Sequence, residues 1–589
     1  MTAQTQIIIG MSTCNIAAGA QDVLHLIENR VAADGLDARV SVMGCLGMCY
    51  CEPQVKVIDP DGTAHVYTRV TPRRMERILA DHVAGGQPRQ PWIANFREGA
   101  EHDLMDKQQR IVLGNCGHVN PDDINDYIAR EGYQALEKVL AQNDPEALIE
   151  EVQNSGLRGR GGAGFSTGLK WRFARNNRGD KNYVICNADE GDPGAFMDRT
   201  TLESDPHLVL EGMAIGAFAV GADEAYIYCR AEYPMAIARL ERAIAQAEER
   251  GYLGQGILGT DFSFRVHVKE GAGAFVCGEE TALIASIEGQ RGMPRSRPPF
   301  PAEAGLFGKP TTINNVETWS NIPWIVRNGA AAFGALGTEK SKGTKVFALA
   351  GKIKHGGLVE VPMGITLHEI IHEIGGGTNS GRPVKAVQLG GPSGGCIPAH
   401  MFDLRIDYDE VTRTGAIMGS GGMVVMDDTT CMVDVARYFL NFTQLESCGK
   451  CTFCRVGTTR MLEILTRICE GEGVPEDIER LEHLAHQVKH TSLCGLGQSA
   501  PNPVLTTLRY FRDEYEEHIF AKHCRSGKCR NLCSYEITDN CTGCLICKKD
   551  CPVNCIEGAR KQKHVIDQDA CIRCGVCRDV CKFDAVIVK

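Results

Sequence analysis

The sequence predicts a multidomain protein that combines α/β and α+β domains. The chain has 589 residues, which is too long for a single hydrophobic core and favours roughly three to five domains. Apolar runs typical of strands alternate with amphipathic runs typical of helices. The chain also has 27 cysteines, most of them after Met432. So many cysteines without a secretory signal indicate metal ligation and not disulfides.

Composition and charge exclude several classes of function. Hydrophobic residues make up 43% and charged residues 23% of the chain, as in ordinary globular proteins. The net charge of -11 argues against nucleic acid as a main partner. No apolar run reaches membrane-spanning length, and no basic region precedes the short apolar run near Met1. We therefore expect no membrane span, no nucleic-acid partner and a cytoplasmic location.

Residues 1–85 are predicted to form a small α/β domain. Residues 6–10, 40–43 and 55–58 have strand patterns, and residues 20–33 have the pattern of an amphipathic helix. The cysteines lie where strands give way to loops, at Cys14, Cys45, Cys49 and Cys51. This arrangement resembles the thioredoxin-like [2Fe-2S] ferredoxin domain, except that its early cysteine pair is reduced to Cys14. Because such a cluster needs four ligands, Cys51 is the candidate fourth; a cluster-free domain and a zinc site are the alternatives.

A linker is predicted at residues 86–110, followed by a larger domain over residues 111–340 that is organised around a glycine-rich loop. Four glycines leave backbone N–H groups open to a ligand, and three basic residues surround them, which suits a phosphate. These residues are Gly159, Gly161, Gly162, Gly164, Arg158, Arg160 and Lys170. The spacing matches a dinucleotide fingerprint, but residues 144–154 before it have a helical pattern. We therefore predict a Rossmann-like domain without that fingerprint; a plain surface loop is the alternative.

Polar residues are concentrated in three further segments of this domain. An apolar strand pattern leads into a run of carboxylates, an apparent helix start carries two acids, and a later strand ends in paired amides. The residues are Asn187, Asp189, Glu190, Asp192, Gly278, Glu280, Asn314 and Asn315. Carboxylates buried here would need donors or ligand hydroxyls; an exposed acidic turn is the alternative.

Together these motifs resemble the NADH-oxidising flavoprotein subunit of respiratory complex I and its relatives, over residues 110–520. The glycine loop, Asn-Ala-Asp-Glu, Cys-Gly-Glu-Glu and Ile-Asn-Asn-Val-Glu-Thr recur in that family's order. The FMN-binding residues that the resemblance implies are Gly159, Arg160, Gly161, Gly162, Lys170, Asn187, Asp189, Glu190, Gly278, Asn314 and Asn315. The NAD(H)-binding residues that it implies are Phe165, Phe173, Asp192, Glu280 and Phe300.

Two of these residues refine the resemblance. Glu280 matches the acid that binds the adenosine ribose, and a carboxylate there favours NAD over NADP because it repels a 2′-phosphate. Asp192 stands where the respiratory subunits carry a Glu, and its surroundings look like the beta subunits of electron-bifurcating hydrogenases. Hydride transfer needs no side-chain acid or base, so we assign positioning residues and no catalytic residue.

Two more domains follow, at residues 341–425 and 426–520. Strands and Gly-rich turns in the first suggest a β-grasp-like domain, as in the same family, and we assign it no chemistry. The second is predicted to be a helical bundle, because the runs that flank its cysteines have helical patterns. It is predicted to hold a [4Fe-4S] cluster, because it has a C-x2-C-x2-C trio and a remote fourth cysteine. The four ligands are Cys448, Cys451, Cys454 and Cys494.

The last domain, residues 536–589, contains a repeated cysteine pattern. Cysteines recur at x2, x2 and x3 spacing from Cys541 and again from Cys571, as in bacterial two-cluster ferredoxins. The fourth cysteine of each run then binds the other cluster. One [4Fe-4S] cluster is assigned to Cys541, Cys544, Cys547 and Cys581, and the other to Cys571, Cys574, Cys577 and Cys551.

Between the bundle and this domain, residues 521–535 are predicted to be a linker with a zinc site. Histidine and cysteine are concentrated there and just before it, as in closed tetrahedral zinc sites. The candidate ligands are His518, Cys524, Cys529 and Cys533; ordinary buried thiols are the alternative.

The order of the sites predicts an NAD(H):acceptor oxidoreductase subunit. FMN exchanges hydride with NAD(H) and single electrons with iron–sulfur clusters. The appended domains suggest a multisubunit complex with a small [2Fe-2S] subunit, a catalytic iron–sulfur subunit and soluble ferredoxin. Our hypothesis is the flavin module of an electron-bifurcating complex that couples NAD(H), ferredoxin and a reaction such as H2 turnover. The alternatives are a diaphorase subunit of an NAD-linked hydrogenase or formate dehydrogenase, and a flavin-free electron-wiring scaffold.

Overall fold

The computed structural model describes residues 4–97 and 99–588, beginning with a four-stranded sheet. The strand Thr5–Gly10 pairs in parallel with Ala38–Met43 and antiparallel with Val55–Ile58. Its inward-facing residues Ile7 and Ile9 pack with the buried face of the helix Ala20–Asp34, because alternate side chains of a strand share one face. The remaining elements are the strand Ala64–Tyr67, which the sequence pattern did not predict, and the helices Thr13–Ala17 and Pro72–Ile78.

The segment predicted to be a linker is a packed part of the fold. It contains the helix Ala100–Asp106, and Leu104 is buried in the core of a neighbouring sheet. Lys107 Nζ pairs with Glu369 at 3.0 Å, and the Gln109 N–H donates to the Glu360 carbonyl at 3.0 Å. These partners lie far along the chain, so the polar composition of the segment gave no sign of them.

The central domain is built on a parallel four-stranded sheet. Its strand order is Arg265–Gly271, Glu224–Arg230, Tyr183–Ala188, Thr311–Asn315. Strands covered on both faces need continuous apolar runs, and Tyr183–Ala188 is buried at nearly every position. The helices are Ile124–Ile128, Gln134–Gln142, Pro145–Asn154, Thr167–Asn176, Met197–Ser204, Pro206–Val220, Pro234–Glu249, Glu280–Ile287, Pro301–Ala304, Val316–Asn328 and Ala330–Gly334.

A mixed five-stranded sheet follows and packs on the central domain. Its strands Thr344–Gly351 and Gly422–Asp427 run parallel, and the other pairs are antiparallel. The fully buried Lys345 of this sheet forms an ion pair with Glu317, which joins the two domains. The other elements are the strands Gly357–Pro362, Val384–Leu389 and Gly395–Pro398 and the helix Tyr408–Arg413.

A helical bundle and a small cysteine-rich domain complete the chain. The bundle helices are Met432–Leu445, Thr458–Cys469, Glu476–Thr491, Gly495–Ser499, Asn502–Tyr510 and Arg512–Glu516. The last domain repeats a strand pair and a short helix. Its elements are the paired strands Tyr535–Ile537 and Val586–Val588, the paired strands Ile556–Glu557 and Val565–Ile566, and the helices Ile546–Lys549 and Val576–Asp579. Within the described residues, no helix has the length and apolar character needed to cross a membrane.

Candidate active site and metal centres

The carboxyl ends of the parallel strands bring predicted polar residues together. Asn187 and Asn315 are paired in register on neighbouring strands. Asn187 Nδ2 donates to the Gly278 carbonyl at 2.9 Å, and its Oδ1 accepts from the Asp189 N–H at 3.0 Å. Open parallel sheets bind ligands in the crevice outside this edge. The edge therefore has the position and the polar groups of a ligand site.

The glycine-rich loop lies against the same edge. Gly162 has a φ of +125° and Gly164 a φ of +64°, in the left-handed region that glycine adopts without strain. A Cβ added at Gly161 would lie 3.1 Å from Asn315 Cβ. The loop therefore approaches the strand end about as closely as a residue without a side chain allows.

The basic residues around the loop have different roles. Lys170 Nζ reaches the strand end and donates to the Ile313 carbonyl at 2.8 Å. Arg160 is completely buried, and its guanidinium donates to the carbonyls of Arg158 at 3.0 Å and Lys342 at 2.6 Å. The Arg160 side chain therefore supports the loop from behind, and the binding of FMN by Arg160 stays a prediction.

Asp189 has the strongest sign of a missing partner. Both of its carboxylate oxygens are buried and, among the described residues, have no hydrogen-bond partner. Burial raises the pKa of Asp189 to about 7. Native structures rarely leave buried acceptors unpaired, because the lost hydration costs free energy. FMN fits this edge, since its ribityl hydroxyls can donate to Asp189 and its phosphate suits the glycine loop.

Other predicted FMN residues hold the framework of the site. Glu190 accepts from the N–H groups of Asp198 and Arg199, both at 3.1 Å, and so caps the start of a helix. Asn315 Oδ1 accepts from the Glu317 N–H at 3.0 Å, and its Nδ2 donates to Asp198 at 2.5 Å. Glu190 and Asn315 thus position the backbone around the edge of the sheet. Asn314 is buried and precedes Asn315 on the strand Thr311–Asn315.

The three predicted aromatic residues form an exposed surface near the loop. Phe165, Phe173 and Phe300 are 48%, 45% and 50% exposed, and the ring centroids of Phe165 and Phe173 are 6.5 Å apart. The helix Pro301–Ala304, which follows Phe300, contacts the helix Thr167–Asn176 that carries Phe173. Exposed aromatic rings grouped in this way offer faces on which a base can stack.

Glu280 links this surface to the glycine loop. Its carboxylate pairs with Arg297 at 2.7 Å and with Lys170 at 3.5 Å. Asp192, the other acid predicted for NAD(H), is half-buried and accepts from Ser420 Oγ at 2.8 Å. Burial raises the pKa of Asp192 to about 6. Asp192 is therefore held by the loop before the strand Gly422–Asp427, whereas Glu280 lies beside the aromatic surface.

The predicted bundle cysteines surround one cavity beside the sheet edge. Besides Cys448, Cys451, Cys454 and Cys494, the cavity is lined by Val276. Val276 belongs to the turn Phe275–Gly278, whose last carbonyl accepts from Asn187. A cluster in this cavity and a ligand at the edge would be separated by that one turn.

The last domain has two comparable cavities. One is lined by Cys541, Cys544, Cys547 and Cys581, and the other by Cys551, Cys571, Cys574 and Cys577. The structure thus brings each predicted quartet together, including the exchanged fourth cysteine. Cys555 also lines the second cavity, with its Sγ 3.5 Å from Cys551 Sγ.

A compact group of four possible ligands lies at the end of the bundle. The ligand atoms of Cys431, His518, Cys524 and Cys529 are all within 4.8 Å of one another, and the four residues are buried. His518 Nε2 lies 3.4 Å from Cys529 Sγ, and its Nδ1 lies 2.7 Å from the Glu514 carbonyl. This carbonyl would fix the ring and its tautomer, as second-shell partners of zinc ligands do.

The predicted zinc set differs from this group in one member. Cys533 lies outside this group, with its thiol 3.5 Å from the Arg530 carbonyl, and Cys431 takes the fourth position. Cys431 precedes the helix Met432–Leu445, far from the other three in sequence. Local clustering of cysteines could not indicate it.

The predicted N-terminal set also differs in one member from the group that the structure forms. Cys14, Cys45 and Cys49 are grouped with Glu52, whereas the Cys51 thiol donates to the Met48 carbonyl at 3.3 Å. Four thiolates for the predicted [2Fe-2S] cluster are therefore not assembled here. The cysteine pattern by itself does not indicate Glu52, although a carboxylate three positions after Cys49 is a recognisable signal. Arg297 was likewise missed as the partner of Glu280.

Three family profiles match the chain. The Nuo51 FMN-binding domain matches residues 152–324, which include the glycine loop and the sheet edge. The NADH-ubiquinone oxidoreductase-F iron-sulfur binding region matches residues 434–518, and a 4Fe-4S binding domain matches residues 564–587. The profiles thus support an FMN-binding domain and two iron–sulfur regions.

Similar proteins are subunits of redox complexes. The NADP-reducing hydrogenase subunit HndC of Solidesulfovibrio fructosivorans is 55% identical over 482 residues, which cover 82% of this chain and 98% of HndC. One of the NADH-quinone oxidoreductase subunits of Rhizobium meliloti is 48% identical over 70% of this chain and 98% of its own length. A crystal structure of NAD+-reducing [NiFe]-hydrogenase in the H2-reduced state has a TM-score of 0.63 at 32% identity, covering 88% of this chain and 85% of that one. This chain therefore belongs to the NADH-oxidising flavoprotein subunits of complex I-type enzymes and related hydrogenases, and it is an NADH dehydrogenase-type oxidoreductase.

Proposed function

We propose that this chain is the flavin module of an electron-bifurcating complex that couples NAD(H), ferredoxin and a partner reaction such as H2 turnover. The observation that carries the flavin assignment is the buried carboxylate of Asp189, whose oxygens lack partners among the described residues at a sheet edge facing a glycine loop. The similarity to a hydrogenase subunit supports the hydrogenase setting.

The residues at the carboxyl ends of the parallel strands and in the glycine loop would each bind one part of FMN. The N–H groups around Gly161 and Gly162 would bind its phosphate, and Asp189 would accept hydrogen bonds from its hydroxyls. When bound, the flavin accepts a hydride from NADH as an electron pair and releases electrons singly to iron–sulfur centres. Lys170 would supply a cation at the strand end, where it donates to the Ile313 carbonyl. Asn187 keeps Asp189 and Gly278 in position. The protein orients the reactants and transfers no proton of its own.

We place the nicotinamide nucleotide on the aromatic surface of Phe165, Phe173 and Phe300. Glu280 would accept the adenosine ribose hydroxyls, which favours NAD(H). Its partner Arg297, at 2.7 Å, is the kind of residue that accommodates a 2′-phosphate. The 55% identical relative is named as NADP-reducing. We therefore infer that Arg297 sets the residual acceptance of NADP(H), and Arg297→Ala should raise the ratio of kcat/KM for NADH over that for NADPH.

Electrons would leave through the cavity of Cys448, Cys451, Cys454 and Cys494, which lies one turn from the flavin edge. We propose one [4Fe-4S] cluster there and two in the last domain. Cys544 of the last domain is exposed, so a cluster bound to it would lie at the surface. That surface is where we place the small [2Fe-2S] subunit, the catalytic iron–sulfur subunit or soluble ferredoxin.

We also propose a structural zinc ion at Cys431, His518, Cys524 and Cys529. The four ligands are protein groups, so the ion would have no open position for water or substrate, as in structural zinc sites. Arg573 of the last domain donates to the Asn531 carbonyl at 3.0 Å in the segment just after this group. The ion would therefore stabilise the segment on which the last domain packs.

The second candidate function is a simple diaphorase subunit, and the similarity to NAD+-reducing [NiFe]-hydrogenase favours it. One assay separates both candidates from the flavin-free electron-wiring scaffold, and a second separates them from each other. The purified chain should contain FMN and reduce a dye with NADH in either case. The complete complex should need ferredoxin for NAD(H)-linked turnover only if it bifurcates electrons. Turnover without ferredoxin would eliminate bifurcation, and a chain without flavin absorbance would leave only the electron-wiring scaffold.

A further inference from the structure

The N-terminal domain gathers three thiols and one carboxylate around a single point. The ligand atoms of Cys14, Cys45, Cys49 and Glu52 all lie within 4.8 Å of one another. Cys45 Sγ and Cys49 Sγ are 3.8 Å apart. Glu52 Oε1 lies 3.2 Å from Cys45 Sγ and 3.3 Å from Cys14 Sγ. This carboxylate therefore contacts thiols from both loops of the site.

These separations are typical of four ligands on one tetrahedral ion. A metal–sulfur distance of about 2.3 Å with tetrahedral angles places two thiolates about 3.8 Å apart, and a thiolate and a carboxylate oxygen somewhat closer. A two-iron cluster instead holds its ligands as two pairs on different irons, so the pairs lie farther apart. Here Glu52 contacts both Cys14 and Cys45, so the ligand atoms do not divide into two separate pairs.

The other cysteine groups of the chain provide an internal comparison. The ligand atoms of the bundle group that contains Cys431 and His518 also lie within 4.8 Å of one another. Within residues 4–97 and 99–588, none of the three predicted cubane quartets forms so compact a group, and each surrounds a cavity. The N-terminal group thus has the packing of the bundle group and not that of a cluster site.

Neighbouring donors complete the surroundings. Ser12 Oγ lies 3.1 Å from Cys14 Sγ, and the Gly47 N–H donates to Cys45 Sγ at 3.2 Å. Donors of this kind orient metal-bound thiolates and stabilise their charge. The Cys51 thiol, in contrast, is directed to the Met48 carbonyl at 3.3 Å. Among the described residues, Cys51 does not belong to the group, and Glu52 is its fourth member.

We propose that the N-terminal domain binds one zinc-type divalent ion through the thiolates of Cys14, Cys45 and Cys49 and the carboxylate of Glu52. Three soft thiolates exclude calcium and magnesium, which prefer oxygen ligands. Four protein ligands close a tetrahedral site, so the ion is structural. The predicted [2Fe-2S] cluster is replaced by this site.

The ion would brace the contact between the N-terminal and central domains. The Thr13 N–H donates to Glu203 Oε2 at 2.9 Å, and the Cys45 N–H donates to Ser204 Oγ at 3.1 Å. Glu203 and Ser204 are the last residues of the helix Met197–Ser204, which begins at the flavin edge. The metal-bound loops would therefore hold the far end of a helix whose near end supports the flavin site.

Metal and sulfide analysis of the purified full-length chain tests this proposal. Glu52→Ala should lower zinc by about one equivalent per chain and leave iron and acid-labile sulfide unchanged. Cys51→Ala is the matched control and should change none of the three. Glu52→Cys restores a ligand and should keep the zinc. In Cys431→Ser, which removes the bundle site, zinc-edge X-ray absorption should show sulfur and oxygen ligands in a ratio of about three to one.

Three results would overturn the proposal. Loss of about two irons and about two sulfides per chain in Cys14→Ser would identify a two-iron cluster. Unchanged zinc in both Cys14→Ser and Glu52→Ala would show that no ion is bound there. Zinc loss in Cys51→Ala would restore the all-cysteine set. FMN content checks the fold of each variant, and the X-ray absorption result stands even if Glu52→Ala fails to fold.

Discussion

Replacing Asp189 by asparagine should change FMN affinity and apoprotein stability in opposite directions. The carboxylate is buried, both oxygens lack partners among the described residues, and burial raises its pKa to about 7. In the apoprotein, a neutral amide removes the cost of burying a charge. In the complex, a carboxylate accepts hydrogen bonds from flavin hydroxyls more strongly than an amide does. The substitution should therefore raise the stability of the apoprotein and lower its affinity for FMN.

The pKa gives the size and sign of the stability effect. A rise from 3.8 to about 7 corresponds to about 4 kcal/mol. Because the folded-state pKa lies above the unfolded value, the folded apoprotein binds the proton more tightly. Apoprotein stability is therefore lost as pH rises from about 4 to about 7, and Asp189→Asn should remove this loss. A charge-assisted hydrogen bond exceeds a neutral one by about 1 kcal/mol or more, so FMN affinity should fall about 10-fold.

FMN titration of the deflavinated protein by flavin fluorescence measures the affinity, and thermal unfolding of the apoprotein on both sides of pH 7 measures the stability. Asp205→Asn is a matched control: burial also raises the pKa of Asp205 to about 7, but its carboxylate bonds to Asn115 at 2.8 Å. This control should leave FMN affinity unchanged. Unchanged FMN affinity in Asp189→Asn, or lower apoprotein stability above pH 7, would refute the reasoning.

Three further predictions concern NADH, zinc and stability. Glu280→Gln should raise KM for NADH about 10-fold with kcat nearly unchanged, because the ribose contact persists in the transition state; steady-state kinetics with the same KM would contradict the assignment. Cys431→Ser should remove about one zinc per chain and lower the thermal stability of the bundle, whereas Cys533→Ser should not; the opposite pattern in metal analysis would restore the set predicted from sequence. Lys345→Met should lower the free energy of unfolding by about 3–5 kcal/mol, because it leaves the buried carboxylate of Glu317 unpaired. Denaturant unfolding should show that adding Glu317→Leu recovers most of this loss, and no recovery would mean that the pair is not the cause.

Much of the site could be predicted because its signals are local. The glycine loop, the acids after Tyr183–Ala188 and the cysteine quartets lie within short segments, and the spacing within each segment restricts what it can bind. Parallel pairing then brings the strand ends to one edge. That is why Asn187 and Asn315, distant in sequence, lie side by side.

The errors occurred where a role depends on contacts between distant segments. Arg160 looks like a ligand cation in sequence, but it is buried and bonded to the carbonyl of Lys342. Residues 86–110 look like linker, but the helix Ala100–Asp106 within them packs on a sheet formed far along the chain. Neither environment has a signature in the neighbouring residues.

The sequence by itself determined the class of chemistry: a phosphate-binding loop, a strand edge with carboxylates, and cysteines at cluster spacing, because these patterns depend on residues close in the chain. Only the tertiary structure decided which side chains complete each site. Cys431 lies with His518, Cys524 and Cys529, Glu52 takes the place of Cys51 in the N-terminal group, and Arg297 pairs with Glu280. The physical reason is that a metal or a charge selects its partners by distance in space, and folding brings together residues whose separation along the chain carries no information about that distance.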